Sequence, residues 1–126
     1  MKKKVLGLIT AIVIIISAAI SVNAAARAFS ASIELKVTDS VVTTSIITAK
    51  NVSVHAENDA SSAHMVWAVA QYLDGPNYDN KEARYIHVGD KVDFTSYQST
   101  TSSWYLELNP TGAYKNCSGR GTITAI

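Results

Sequence analysis

Cysteine is almost absent from this chain: Cys117 is the single one among 126 residues. No internal disulfide can form, and without a CxxC pair neither dithiol redox chemistry nor a zinc ribbon is expected. Free cysteine is among the most buried residue types, so Cys117 reads as a small core residue, the alternative being an exposed thiol that links two chains. Basic clusters are missing too, apart from Lys2, Lys3 and Lys4. Setting those three aside leaves eight Lys+Arg against ten Asp+Glu. A surface with no Lys/Arg cluster cannot neutralise a run of phosphates, which argues against nucleic-acid binding. No G-x-S-x-G elbow or other nucleophile motif occurs, so an enzyme is not expected. Glu34, Asp93 and Glu107 fall on strand-like segments, but their spacing defines no glycosidase pair. Nothing in the sequence demands a cofactor. Finally, no amphipathic helix of useful length can be traced downstream of the apolar start.

That apolar start is itself informative. Three lysines precede an uncharged run from Val5 to Val22, followed by Asn23-Ala24-Ala25-Ala26. This order predicts a secretory signal peptide over residues 1–26, cleaved after Ala24 or Ala26. An uncleaved anchor is the rival reading, since a spanning helix needs about 20 residues. The small residues at the end of the run and the lack of a basic stop-transfer cluster favour cleavage. No cysteine follows the run, so a lipoprotein is not expected. The layout is bacterial in type, and the sequons at Asn51 and Asn116 are read as coincidental. Residues 27–126 are then one secreted, extracellular domain, which touches a membrane only through the signal segment before cleavage.

Period-two alternation runs through this domain. Phe29, Ala31, Ile33, Leu35 and Val37 alternate with polar residues, as do Val52, Val54 and Ala56, and later Trp104, Leu106 and Leu108. Each pattern predicts a strand with one wet face. Val41–Ala49 is rich in β-branched residues and reads as a further strand. It is either continuous with the strand after Asn51 or in a hairpin with it. Met65–Leu73 is apolar on both faces and reads as a strand covered on both sides. Asp74–Lys81 is a turn cluster, Gly89-Asp90 is a hairpin turn between Arg84–Val88 and Lys91–Thr95, and Ser96–Ser103 is a Ser/Thr-rich loop. Gly121–Ile126 closes the series. Seven or eight short strands with turns between them predict an all-β fold, an antiparallel β-sandwich of immunoglobulin-like or jelly-roll type. The Cys…Trp…Cys pattern of immunoglobulin domains is lacking, so that likeness is architectural.

Three groups of residues are candidates for function. His55 and Glu57 share one face of a predicted strand and could meet His64 or His87 at a metal, although the spacing enforces no tetrahedral set. Asp74, Asn77 and Asp79 gather oxygen donors in a turn, the chemistry calcium prefers, though not in the EF-hand register. Asp and Asn are equally ordinary turn residues. Tyr78 and Tyr97 fall in predicted loops, where a ring has no core to enter and is available to stack on a sugar or anchor a protein. The expected function is a small secreted, non-catalytic binding module for a surface polysaccharide, the cell wall or a protein partner. The alternatives are a secreted effector, either a bacteriocin-like toxin or an inhibitor of an extracellular enzyme, and a structural subunit that assembles through Phe29–Val37.

Overall fold

The computed structural model describes residues 29–111 and 114–126. The segment read as a signal peptide lies outside them. Seven strands follow in order: β1 (Ser30–Leu35), β2 (Val42–Thr43), β3 (Ile47–Asn58), β4 (Val66–Asp74), β5 (Asn77–Ile86), β6 (Lys91–Pro110) and β7 (Gly119–Ala125). All pairings are antiparallel, in the order β1-β7-β3-β6-β4-β5, with β2 joined to β6. The all-β expectation is borne out.

Two long strands make this one sheet into two layers. The register between β3 and β6 runs regularly from Glu57↔Lys91 to Asn51↔Tyr97, then resumes at Ala49↔Ser102. Lys50 on one strand thus faces Gln98 to Thr101 on the other, and β6 arches. Beyond the arch β6 takes β4 on one side and β2 with the start of β3 on the other. The first layer is β1-β7-β3-β6 and the second is β5-β4-β6-β2. Their inner faces meet: a Cβ at Gly121 on β7 would lie 2.6 Å from Leu106 Cδ2 on β6. Glycine is what allows that approach. Between the layers lie Leu35, Ile47, Val52, Val54, Ala56, Val66, Ala68, Ala70, Ile86, Leu106, Leu108, Ile123 and Cys117. The alternation chooses them, because one register slip would turn every one of these side chains to solvent.

The arch is held by side chains. Trp104, fully buried, donates Nε1–H to the Ala49 carbonyl at 3.0 Å, where the ladder breaks. Its ring meets Tyr72 edge-on at 4.8 Å. Tyr72 Oη donates to the Thr100 carbonyl at 3.0 Å, and Ser102 Oγ donates to the Leu73 carbonyl at 2.9 Å.

Four local expectations are corrected. Ser96–Ser103 is part of β6, because cross-strand partners and these side-chain bonds order a stretch whose composition alone reads as a loop. Most of Asp74–Lys81 is strand. Only Gly75-Pro76 forms the turn, with Gly75 at φ +63 as the first central position of a II′-type hairpin requires. Gly89-Asp90 is not a hairpin turn: β5 belongs to the second layer, whereas Lys91 begins in the first, paired with Glu57. Val41–Ala49 is interrupted at Thr44–Ile46, where the Thr44 amide and hydroxyl bond the backbone of Leu106.

Trp104→Ala is expected to destabilise the domain by about 3–5 kcal/mol, from the lost burial and the cavity. Gly121→Val is expected to cost about 1–3 kcal/mol by overpacking against Leu106. Shifts in urea midpoint at constant slope measure both.

Candidate functional site on the outer face of the second layer

The two layers turn very different outer faces to solvent. On the first, register aligns cross-strand rows: Ser30–Thr124–Ser53–Thr95, then Ser32–Thr122–His55–Asp93, then Glu34–Arg120–Glu57–Lys91. The groups satisfy one another. Ser32 and Thr122 hydroxyls lie 2.8 Å apart, His55 Nδ1 lies 2.7 Å from Asp93 Oδ1, and Arg120 Nε lies 3.5 Å from Glu57 Oε2. This face is a solvated ladder of hydroxyls and alternating charges, whose exposed ion pairs contribute little to stability.

The second layer faces outward with Trp67, Val69, Gln71 and Leu73 on β4, with Tyr85, Ala83, Asn80 and Tyr78 on β5, and with Asn109, Glu107, Tyr105 and Ser103 on β6. Four of the ten aromatic residues of the chain are here. They form two pairs. Trp67 and Tyr85 are register partners whose ring centroids are 3.5 Å apart. Tyr78 and Tyr105 reach over β4 from either side and meet at 4.8 Å. The rings shelter what lies beneath: Val69 is 6% and Gln71 7% exposed, although both point away from the interlayer core. Gln71 donates its amide to Asn80 Oδ1. The pairs are separated by four to six residues of β4, roughly 13–20 Å at about 3.3 Å per residue.

A bulge creates this arrangement. Ala70 pairs with Glu82 and Gln71 with Asn80, so Lys81 is the extra residue on β5. The bulge resets the alternation, so that Tyr78 and Asn80 face outward on one side of it and Ala83 and Tyr85 do so on the other. Glu107 is the one charged side chain among the outward positions of the second layer on β4, β5 and the end of β6. The cations of β5 point the other way, with Lys81 Nζ 5.4 Å over the Tyr72 ring and Arg84 5.3 Å over the Phe94 ring. Partial burial, the Glu107 carboxylate and the neighbouring Tyr78 together hold the Tyr105 phenol above its ordinary pKa of 10.0.

The sequence candidates fare unevenly. Tyr78 is in this site, on a strand and not in a loop. Tyr97 is also on a strand, but on the outer face of the first layer, 68% exposed and opposite Asn51. The two tyrosines therefore do not act together. Asp74 and Asn77 flank the hairpin turn and Asp79 follows on β5, paired with Tyr72. The Lys81 ammonium lies 3.4 Å from Asp74 Oδ2 and 5.4 Å over the Tyr72 ring. Among the described residues no three His, Cys, Asp or Glu side chains group as a metal site, and His64 lies beside Tyr114, away from His55. The sequence reading places Trp67 within a strand covered on both sides and gives Tyr85 and Tyr105 no role. The signal that could have found them is their alternation with Ala68, Arg84 and Leu106, which sets them on faces opposite to inward residues.

No family model matches the chain, and no curated protein sequence matches it significantly. Its fold is similar to the crystal structure of PirA, with a TM-score of 0.50 and 11% identity over 76% of this chain and 92% of that one. A Yersinia pseudotuberculosis-derived mitogen gives a TM-score of 0.44 with 9% identity over 77% of this chain and 84% of that one. A protein of Bacillus endospore appendages, described as disulfide-linked pili, gives 0.44 with 17% identity over 77% and 86%. At such identities the PirA likeness is one of fold.

Because its neutral form is favoured in the folded state, Tyr105 contributes stability that is complete below pH 10 and is lost as pH rises through its raised folded pKa. Glu107→Gln is expected to lower that pKa without restoring the ordinary value, since burial is the larger cause. Ultraviolet difference titration of the phenol measures it.

Proposed function

We propose that this chain is a small exported, non-catalytic binding module, and that its ligand is a neutral glycan of the cell surface or wall lying along the outer face of the second layer. The observation that carries this reading is the pair of aromatic clusters at either end of a face with one carboxylate and no cation. Ring faces stack on the C–H surfaces of pyranose rings, and the exposed Asn80, its oxygen held by Gln71, keeps its amide N–H groups within the same face to meet hydroxyls. The distance between clusters suits an oligosaccharide of several sugars better than a monosaccharide. An anionic polymer would meet Glu107 without any compensating cation on this face. Export rests on the leader-like residues 1–26, and the low cysteine content is consistent with a domain stabilised by its core alone.

A protein-directed effector would draw on the same rings, since Trp and Tyr are common interface anchors. A pore-forming toxin, which needs a long alternating segment such as Val41–Glu57 to insert, is disfavoured by β3. Ile47, Ala49, Val52, Val54 and Ala56 are core residues, so Val41–Glu57 could enter a membrane only by dismantling both layers.

Retention on insoluble cell wall and titration with cellohexaose and chitohexaose test the proposal. Tyr85→Ala and Tyr78→Ala are each expected to weaken binding about tenfold, a difference of about 1.4 kcal/mol. Tyr97→Ala should have no effect, and a chelator should change nothing. Loss of binding on Tyr97→Ala with none on Tyr85→Ala would move the site to the other layer. No retention on any glycan would return the aromatic face to the protein-partner reading.

A further inference from the structure

The sheet path ends at β1 and β5, and the two ends are built differently. β5 carries the Lys81 bulge and the charged side chains of Lys81, Glu82 and Arg84 on its inward side, devices that keep other strands from adding to an edge. The free side of the first half of β6 is covered in part by Arg84, stacked over Phe94. β2 has only two residues. β1 has none of these guards. Its six residues, Ser30–Leu35, contain no proline, no lysine and a single charge, Glu34, and among the described strands only β7 pairs with it. Phe29, just before the strand, and Val37, in the turn after it, are 62% and 52% exposed. A groove of about 640 Å³ lies on the β7 side of the strand, lined by Ser32 to Val37 with Asp59, Ser118, Gly119 and Arg120, and so leaves the opposite edge of β1 free of it.

We propose that β1 is a self-recognition edge: it pairs antiparallel with β1 of a second copy of this chain, across a two-fold axis at Ile33. Registers in which inward residues meet inward residues are the ones that keep both faces of the sheet continuous. Among these, the axis at Ile33 places Ile33 against itself, Ala31 against Leu35 of the second copy and Ser32 against its Glu34. No like charges stand directly opposite, so the cost of such pairs is avoided. Continued just beyond both ends of the strand, the same register brings Phe29 towards Val37 of the second copy. Exposed apolar groups that a monomer leaves in water are thereby covered by each other.

The symmetry has a consequence for function. Neighbouring antiparallel strands are related by an axis perpendicular to the sheet, so corresponding faces of both copies look the same way. Both aromatic faces of the second layers then point to one side. On the glycan reading above, a polymer could engage both, and the second contact becomes intramolecular, an avidity gain of the order of 10² or more.

The protein secreted with its own leader is the material for the test. Sedimentation equilibrium is expected to show a concentration-dependent dimer. Ile33→Cys is expected to form a disulfide-linked dimer on a non-reducing gel, because residues directly opposite have Cα atoms about 4.5–5.5 Å apart. Ser32→Cys and Glu34→Cys should not, since each is displaced from its own counterpart beyond the roughly 7 Å that a disulfide bridges. Cys117 is buried and supplies no competing thiol. A monomer at every concentration with Ile33→Cys uncrosslinked, or equal crosslinking of all three variants, would overturn the proposal. Glycan titration of the monomeric Ile33→Lys variant, after its circular dichroism is matched to the parent, separates the two ideas. Single-site affinity that survives with avidity lost supports both, whereas dimerisation with no glycan binding leaves the edge and removes the glycan.

Discussion

Everything in this domain depends on the corner where β6 leaves β3 and passes from one layer to the other. A single antiparallel sheet has two wet faces and cannot bury a core; folded at this corner, it closes on itself. The corner is difficult to hold, because four residues of β6 stand against one of β3 and their backbone groups lose ladder partners. Trp104 resolves part of this with one side chain. Its ring fills the space behind the corner and its Nε1–H satisfies the Ala49 carbonyl at the break. Tyr72 does the same for Thr100 from the far side. Each is an aromatic residue whose polar tip is matched inside the protein, which makes the buried hydrogen bond favourable rather than a desolvation penalty.

Closing the sheet leaves two outer faces, and their contrast is the main functional statement of the structure. A face that serves only solubility resembles the first layer, with hydroxyls and charges paired in rows. The second layer departs from that pattern on one side only, and with bulky rings. Such residues are costly to leave in water, at about 25 cal/mol per Å² of apolar surface. They are arranged as two pairs over sheltered Val69 and Gln71, not scattered singly. Clustering of this kind on one face is the feature from which the binding surface is proposed.

Much of the fold could be read directly from alternation. β1, the second half of β3 and the end of β6 follow period two, and their inward residues are those that the pattern selects. The reading failed where tertiary pairing overrules local composition. Asn77 to Lys81 are turn-forming residues, yet an edge strand accepts them because half its backbone groups face solvent. Gly89-Asp90 sits between two short alternating runs, which looks like a hairpin. The sequence carries no local mark that the second run belongs to the opposite layer. The composition of Met65–Leu73 predicts cover on both faces, and the strand has it, but not from a third layer. Its outer cover consists of Tyr78, Tyr85 and Tyr105, contributed from distant positions that only the register brings together. For the same reason Tyr78 and Tyr97, alike in sequence context, end on opposite sides of the molecule.

The site also shows how a ligand could be held without deep enclosure. A flat sheet face cannot surround a sugar chain, so affinity has to come from surfaces that lose little freedom on binding. Tyrosine and tryptophan have two side-chain torsions, and here each ring is already packed against another. Gln71 is fixed by Asn80 beneath them. Ordering an exposed, rotamer-rich side chain costs about 0.5–1.5 kcal/mol on binding. In this face much of that ordering is complete once the β4–β5 hairpin has formed, because the bulge at Lys81 sets where Tyr78 and Asn80 stand relative to Tyr85. The same bulge keeps Lys81 and Arg84 on the other side of the strand. One irregular residue thus determines both the spacing of the rings and the absence of cations among them, the two features on which the neutral-glycan proposal rests.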